Sequence, residues 1–476
     1  AIDRSDASLT LKSDDSLLKN LTGGFSAGLG TLTYTRTTQA QLGDGNGQVT
    51  VSGTDDTGTG LIQVNAADVD GKQGGISGQV LSSLIGVASN TINATVNASV
   101  NQASITGQGL NVMALDGSSH SALGKIARQV ATGSVSALVL DSTVATDAAL
   151  RVLALDQSTF KSDSSGFSAD VPKLDNVKIG IASASNTLNH SVVAQVAAST
   201  VTAGDISILA GARQTVSSNT ESMAVTGGDH AAGSHLALGG TFAWNQLLGK
   251  ITANLADSDV ETAEGGNIAV EAANASKVDS TTVAGTSVAG AGSAGGASLA
   301  FNAIGWDMGN VAAATLNSLI GTDVATRSLP VETTASVTGS GVKAGGNLTV
   351  TAQDLIELTA AISNSSAAST GEAASALSVG AAMVLASNRV KSSTRAYLDE
   401  RDPATGKALK AVTAAGNVTV TADDAASINA DVAMSAKAAS AGGSSVAVGG
   451  IVVRNDVRSD VLADLLGGIF DVGGDL

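Results

Sequence analysis

The chain of 476 residues contains no cysteine, so disulfides, thiolate metal centres and thiol catalysis are excluded. Aromatic residues make up only 2% of it, while hydrophobic residues reach 43%. An interior of that composition has to be filled by Ala, Val, Leu and Ile, which gives a thin, even core suited to stacked sheets. There are three prolines, Pro172, Pro330 and Pro403, and all fall where the repeat described below is interrupted. That placement fits a chain that is otherwise hydrogen-bonded strand and cannot spare an N–H. Basic residues are scarce: 25 Lys and Arg stand against 42 Asp and Glu, a net charge of −17. This balance disfavours nucleic acid and anionic membrane surfaces and suits divalent cations or basic partners. No uninterrupted apolar run of about 18 residues is present, so no segment reads as a membrane-spanning helix. The start, Ala1-Ile2-Asp3, lies in mid-pattern without a charged leader and apolar signal core, which reads as a fragment or a processed chain.

What is present is a repeated phrase: Asn, then apolar residues two, six and ten places on, usually with Ala at the eighth. It begins at Asn90 (Ile92, Val96, Ala98, Val100), Asn186 (Leu188, Val192, Ala194, Val196), Asn245 (Leu247, Ile251, Ala253, Leu255) and Asn455 (Val457, Val461, Ala463, Leu465). A looser copy starts at Asn388 (Val390, Thr394, Ala396, Leu398). Every marked position is an even step from the Asn, so these side chains share one face of an extended strand. A second phrase, apolar-x-apolar-x-small, alternates with the first, as at Leu110-Asn111-Val112, Ile206-Ser207-Ile208, Ile268-Ala269-Val270 and Val418-Thr419-Val420. Gly23-Gly24, Gly74-Gly75, Gly227-Gly228, Gly295-Gly296, Gly371 and Gly442-Gly443 read as reversals between the two phrases. With 14% charged residues and regular alternation, 56 glycines do not imply disorder.

The period is near sixty: 59 residues separate Asn186 from Asn245 and 67 separate Asn388 from Asn455. The 96 residues between Asn90 and Asn186 read as one unit with added material, and the copy before Asn388 can be anchored at Asn302 or Asn310. The first copy, near Thr35, lacks the Asn. Insertions are expected at 54–73, 156–176, 321–342 and 399–412, the last two on one edge, where repeat proteins commonly place binding surface. The fold class is therefore all-β: a repetitive β-solenoid resembling a parallel β-helix, about eight composite repeats of roughly sixty residues forming a single elongated region over 1–476. Eight wide coils at about 4.8 Å give a body near 40 Å, whereas three coils of about nineteen residues per cycle would reach about 120 Å. The glycine reversals favour the wide coil.

Chemistry-bearing residues are few. The recurrent Asn residues, stacked in register, make a structural amide ladder. Asp229, His230 and His235 carry metal-ligand types in a glycine turn, while His120 and His190 stand alone and read as packed or solvated. Asp44 with Asn46, and Asp68 with Asp70 and Gly71, are oxygen-rich enough for Ca²⁺ but read as solvated turns, so the metal question stays open and no cofactor is assigned. The glycine pattern from Gly290 to Gly295 lacks the strand–helix context of a dinucleotide site, and no nucleophile elbow, zinc-protease motif or P-loop occurs; no catalytic or cofactor-binding residue is assigned. The few large rings are Trp244, Trp306, Tyr34 and Tyr397, and alternation places Trp244 on the outer face, where a ring can stack on a sugar or cover a coil edge.

The runs AGGNLTVTA (344–352), AAGNVTVTA (414–422) and GGSSVAVGGIVVRNDVRSDVLADL (442–465) resemble the repeats of very large secreted filamentous adhesins, the filamentous-haemagglutinin and leukotoxin-type surface proteins of bacteria. The resemblance covers most of the chain from about residue 75 and implies a right-handed parallel β-helix, export to the cell surface, and a part in adhesion, biofilm or filament building. The expected function is a non-enzymatic structural or adhesive stalk segment. Its partners would be a host or neighbouring cell surface, a glycan or matrix component, or further copies, without nucleic acid or membrane insertion. A polysaccharide-binding or polysaccharide-active β-helix and a self-assembling filament subunit are the alternatives.

Overall fold

A computed structural model describes residues 2–3, 8–12, 27–43, 49–53, 61–68, 74–79, 85–167, 169–171, 174–227, 235–289, 292–307, 327–370, 377–401, 410–441 and 443–475. Among them there is no helix, and the strands form a parallel β-solenoid. The fifth coil shows the plan. Ile206–Ala212 belongs to a first sheet, Thr215–Gly227 to a second, His235–Ala256 to a third and Asp259–Thr262 to a fourth. Each pairs in parallel and in register with its counterpart in the next coil, as Ile206 with Ile268 and Thr200 with Asp259. The first, second and fourth sheets each hold eight strands, one per coil.

The wide-coil geometry therefore holds. Eight rungs at about 4.8 Å span about 34 Å, while third-sheet strands of 22 and 24 residues run roughly 70–80 Å. The body is wider across its coils than along its axis, as eight wide coils imply.

Two interiors lie side by side. The main core packs Val96, Leu110, Val135, Leu150, Leu188, Ile208, Leu247, Val350 and Val412 with their neighbours. Beyond it the second sheet and the first half of the third face each other as a thin wing, filled by Ala224, Ala237, Val288, Ala294 and Ala368 and by Ala243, Ala300, Ile362, Val384 and Ala386. Small residues are required there because the two layers approach closely: a Cβ on Gly180 would lie 2.7 Å from Met223 O, and one on Gly296 2.6 Å from Asn364 Oδ1. Gly295-Gly296 is consequently part of the strand Gly292–Ile304 and is not a reversal, and Gly74-Gly75 likewise belongs to the strand Gly74–Gln79.

The recurrent Asn marks the seam between wing and core. Asn186 Nδ2 donates to Asn245 Oδ1, Asn245 to Asn302 and Asn302 to Asn388, each at 2.9 Å, and Asn388 donates to Asn455 at 3.0 Å. Asn302, not Asn310, thus anchors the ambiguous copy. The second amide hydrogen ties the row to the second sheet, through Ser217 O, Ser218 Oγ and Ser280 Oγ. Gln129 stands between Asn90 and Asn186, bonding to both. The long Asn90–Asn186 interval is therefore two coils, not one with added material. The extra coil is short because Ser119–Gly124 passes into Ile126–Leu140 through Lys125 alone, without a wing.

Two further ladders hold the corners. After most of the long strands one residue takes a left-handed conformation, as Asp141 (φ 47°), Ala198 (φ 49°) and Asp257 (φ 48°) do. The Ser that follows donates to the carbonyl two residues back and accepts an N–H from the coil before: Ser142 N to Ser199 Oγ, Ser199 N to Ser258 Oγ and Ser258 N to Ser340 Oγ are all 3.1 Å. At the Gly-Asn corner, Asn347 N donates to Asn267 Oδ1 and Asn417 N to Asn347 Oδ1.

The expected insertions fall differently from their sequence boundaries. Leu61–Asp68 and Thr159–Phe167 are rungs of the first and second sheets, and Val331–Thr338 and Gly341–Ala344 are rungs of the third and fourth. Short Thr, Ser and Val runs alternate alike in rung and loop, which hid them. The true excursion in the sixth coil leaves the third sheet after Ile304 and returns at Val331. The neighbouring strand pairs Ile304 with Val390 and Val331 with Ser392, so only Lys391 is skipped. Trp306–Asp307 and Arg327–Ser328 close its base as an antiparallel pair. In 156–176 the departure from the rung is Ala169–Val171, which folds back antiparallel on Leu174–Ala197. In 399–412, Asp399 ends one rung and Ala411 begins the next; 402–409, Pro172 and Pro403 lie outside the described residues.

Position in the amide row should govern the cost of breaking it. Asn245→Ala removes a donor and an acceptor between two buried amides and should cost about 2–4 kcal/mol. Asn90→Ala should cost about 1–2 kcal/mol, because Leu32 occupies the rung before it and Asn90 Oδ1 has no partner. Denaturant titration of the two variants measures the difference.

Candidate functional site

The most concentrated ionisable chemistry among the described residues lies inside the main core, at the corner from the first sheet to the second. The second phrase ends in an acidic or amide residue, as in Leu110–Asp116 and Leu150–Asp156. Alternation turns its last residue inward with Leu110, Val112 and Ala114, all of them buried. In register this makes one row: Asp68, Asp116, Asp156, Ala212, Asn274, Asp354 and Asp424. Several corners use the side chain as a cap, while that of Ala212 has none to offer. Ser118 N donates to Asp116 Oδ1 at 2.9 Å, Ser158 N to Asp156 Oδ1 at 3.0 Å and Ser276 N to Asn274 Oδ1 at 3.1 Å.

Stacked carboxylates repel. At about 4.8 Å and an effective dielectric constant near 20, two charges oppose each other by roughly 3–4 kcal/mol. The third sheet supplies relief at two rungs: Arg36 ion-pairs with Asp68, both side chains being sealed from solvent, and His190 Nδ1 lies 2.8 Å from Asp156 Oδ2. Gln214 Nε2 donates to the same oxygen, and the Ser158 hydroxyl donates to Asp156 Oδ1. Beside them runs a column of rings, Tyr34, His120, Phe160 and His190, with successive centroids 5.6, 5.2 and 5.8 Å apart. His120 is further tied to Ser118 Oγ at 3.1 Å.

The surroundings divide the carboxyls. Burial, then the neighbouring Asp156 charge, pushes Asp116 up to about 6. Burial also opposes charge on Asp156, yet the His190 charge and hydrogen bond, with Ser158, hold it below the ordinary carboxylate value. Burial disfavours the His190 cation, but Asp156 and then Asp116 keep its value above that of free imidazole. Farther along the row, burial and the Asp424 charge raise Asp354 well above the usual range.

Ligand atoms of Asp116, Asp156 and His190 lie within 4.8 Å of one another, and an N,O,O set suits a divalent cation by type. The oxygens of Asp156 are already taken by Ser158, His190 and Gln214, so the geometry is that of a hydrogen-bonded imidazolium–carboxylate pair. His120 and His190 are thus packed, and they do not stand alone. Asp68 is sealed against Arg36 and is no solvated turn. His235 is buried with Nδ1 3.5 Å from Thr226 Oγ1. Asp44, Asn46, Asp70, Gly71, Asp229 and His230 lie outside the described residues. Gly292–Gly295, the described end of the glycine pattern, is strand.

Trp244 does face outward from the Asn row but is only 8% exposed, because Phe242, Phe301 and Leu385 pack around it and Trp306 from the excursion joins them. The Arg389 guanidinium lies 3.7 Å from the Trp306 ring centroid. Neither tryptophan offers a free ring for a sugar. Tyr34 is half-buried beside His120, and Tyr397 is half-buried on its rung.

The recurring D-x-S at 116–118 and 156–158 was the visible signal for the row. Arg36 and His190 gave none, since both enter from another sheet. No family model, curated protein or solved structure matches the chain.

The stabilisation from the His190–Asp156 pair is complete between the ordinary carboxylate value near 4 and the ordinary imidazole value near 6.5. It is lost as pH falls through the lowered value of Asp156 and as pH rises through the raised value of His190. Asp156→Ala leaves a buried base without its partner and should cost about 3–5 kcal/mol. Imidazole NMR should show His190 titrating lower in that variant than in the parent, and thermal denaturation should register the loss.

Proposed function

We propose that this chain is a structural and adhesive segment of a large bacterial surface protein. The observation that carries the reading is the direction of its polar chemistry: Asn, Ser and Asp rows are turned inward to hold rung on rung, leaving broad sheet faces as the working surface. The filamentous-adhesin phrases in the sequence agree with it. They supply the expectation of export and of a partner on a cell or in a matrix.

The outer face of the fourth sheet is the best candidate for contact. There an open groove of about 490 Å³ is lined by Thr200, Thr202, Asp259, Glu261, Lys343 and Lys410. Gly341 forms its floor: a Cβ there would come within 2.6 Å of Asp259 Oδ1, so its absence lets Lys410 cross a whole rung to bond that oxygen at 2.9 Å. Exposed ion pairs of this kind add little to stability and exchange readily for a ligand's polar groups. Hydroxyls and charges of both signs, repeated at rung spacing, suit an extended polyhydroxylated chain such as a glycan.

Beads coated with the purified chain should be retained on immobilised glycans or matrix proteins above an uncoated control. Lys343→Ala with Lys410→Ala should cut retention about tenfold, equivalent to about 1.4 kcal/mol, with the melting profile kept. Absence of retention on every surface tried would remove the adhesive part of the proposal.

A further inference from the structure

Over coils two to four the row at the first corner carries one carboxyl more than it has bases. On three consecutive rungs it places Asp68, Asp116 and Asp156 in register. Two bases answer them, Arg36 at Asp68 and His190 at Asp156. All five residues are at most 5% exposed. Among the described residues the base nearest Asp116, the middle carboxyl, is His190, within 4.8 Å but hydrogen-bonded to Asp156, and Asp116 is bonded by the Ser118 N–H and hydroxyl. Around it His120 faces in from the second sheet and is engaged with Ser118 and the Tyr34 and Phe160 rings, and Gln214 is neutral. A sealed, uncompensated charge is costly.

We propose that this row is a proton-binding site: Asp116 takes up one proton on mild acidification, neutralising the sealed set and tightening coils two to four. Two other rungs of the same row follow the same rule. In the sixth coil the position is Asn274, a neutral isostere that makes the same cap, with Ser276 N at 3.1 Å and Ser276 Oγ at 2.7 Å. In the seventh it is Asp354, whose burial beside Asp424 favours the protonated form. Asn274 makes the cap without a charge, and at Ala212 the corner closes with no polar side chain at all.

The signs define a window. Asp116 binds its proton more tightly folded than unfolded, so stability rises as pH falls from about 6 towards the ordinary carboxylate value near 4. Below that value the Asp156 contribution begins to fail, and above about 6.5 the His190 contribution is lost as pH climbs through its raised folded value. The stretch is therefore held best in mildly acidic surroundings, between about pH 4 and 6.

The test compares the parent chain with Asp116→Asn, which retains the cap acceptor, in thermal denaturation at pH 7 and pH 5 and in amide exchange over residues 61–203. The parent should melt about 1–2 °C higher at pH 5 and gain protection in that stretch. Asp116→Asn should match or exceed the parent at pH 7 and show a smaller acid-dependent gain in protection there, keeping only the part that His190 contributes. An equal acid response in both proteins, or none in the parent, overturns the proposal. If the variant fails to fold, carboxyl-carbon NMR of the parent decides: a midpoint for Asp116 near 6 supports the site, and one near 4 refutes it.

Discussion

Everything in this molecule follows from in-register parallel stacking. When each rung lies about 4.8 Å from the next, an inward side chain meets its own counterparts before it meets anything else. A residue type is tolerated inside only if it can satisfy a copy of itself or is matched from another sheet. Asn passes because its amide donates on one side and accepts on the other, and Ser passes because a hydroxyl does both. Asp fails alone, since a carboxylate only accepts. The Asn row therefore runs from Asn186 to Asn455 without any outside base, whereas the Asp row draws on Arg36 and His190 and still leaves Asp116 in excess.

The same constraint explains why the coil can change size without losing the fold. A wing can be omitted, as in the coil of Gln129, and an excursion can be inserted, as after Ile304, provided the rungs on either side keep register. The amide row marks the division: on one side a core of Val, Leu and Ile, on the other a wing of Ala, Gly and Ser thin enough for two backbones to approach. The excursion then turns its Trp306 onto the outer aromatic cluster, so the rings that composition makes scarce serve as packing on the outer face of the third sheet.

Much of the architecture was legible because alternation and repetition report directly on strands. The Asn phrase located the seam, the second phrase located the first sheet, and the period gave the number of coils. The errors share a cause. Gly295-Gly296 read as a turn because glycine suits turns, but here Gly296 leaves room for the Asn364 and Ser366 side chains of the facing sheet. Val331–Thr338 read as insertion because Pro330 precedes it, although proline is also acceptable just before a strand. Gln129 was missed because one added methylene conceals an amide that continues the row.

What the sequence determined by itself was the class: an all-β repetitive solenoid, inward rows of identical residues, and a core poor in rings. These follow from periodicity along one strand, which is local. What only the tertiary structure decided was which strands lie side by side and hence which charges meet. Arg36 and His190 reach Asp68 and Asp156 from a different sheet, and Trp244 is covered by rings and an excursion from other coils. Such encounters depend on the separations between coils, which are set by wings and insertions of unequal length, and no period along the chain records them.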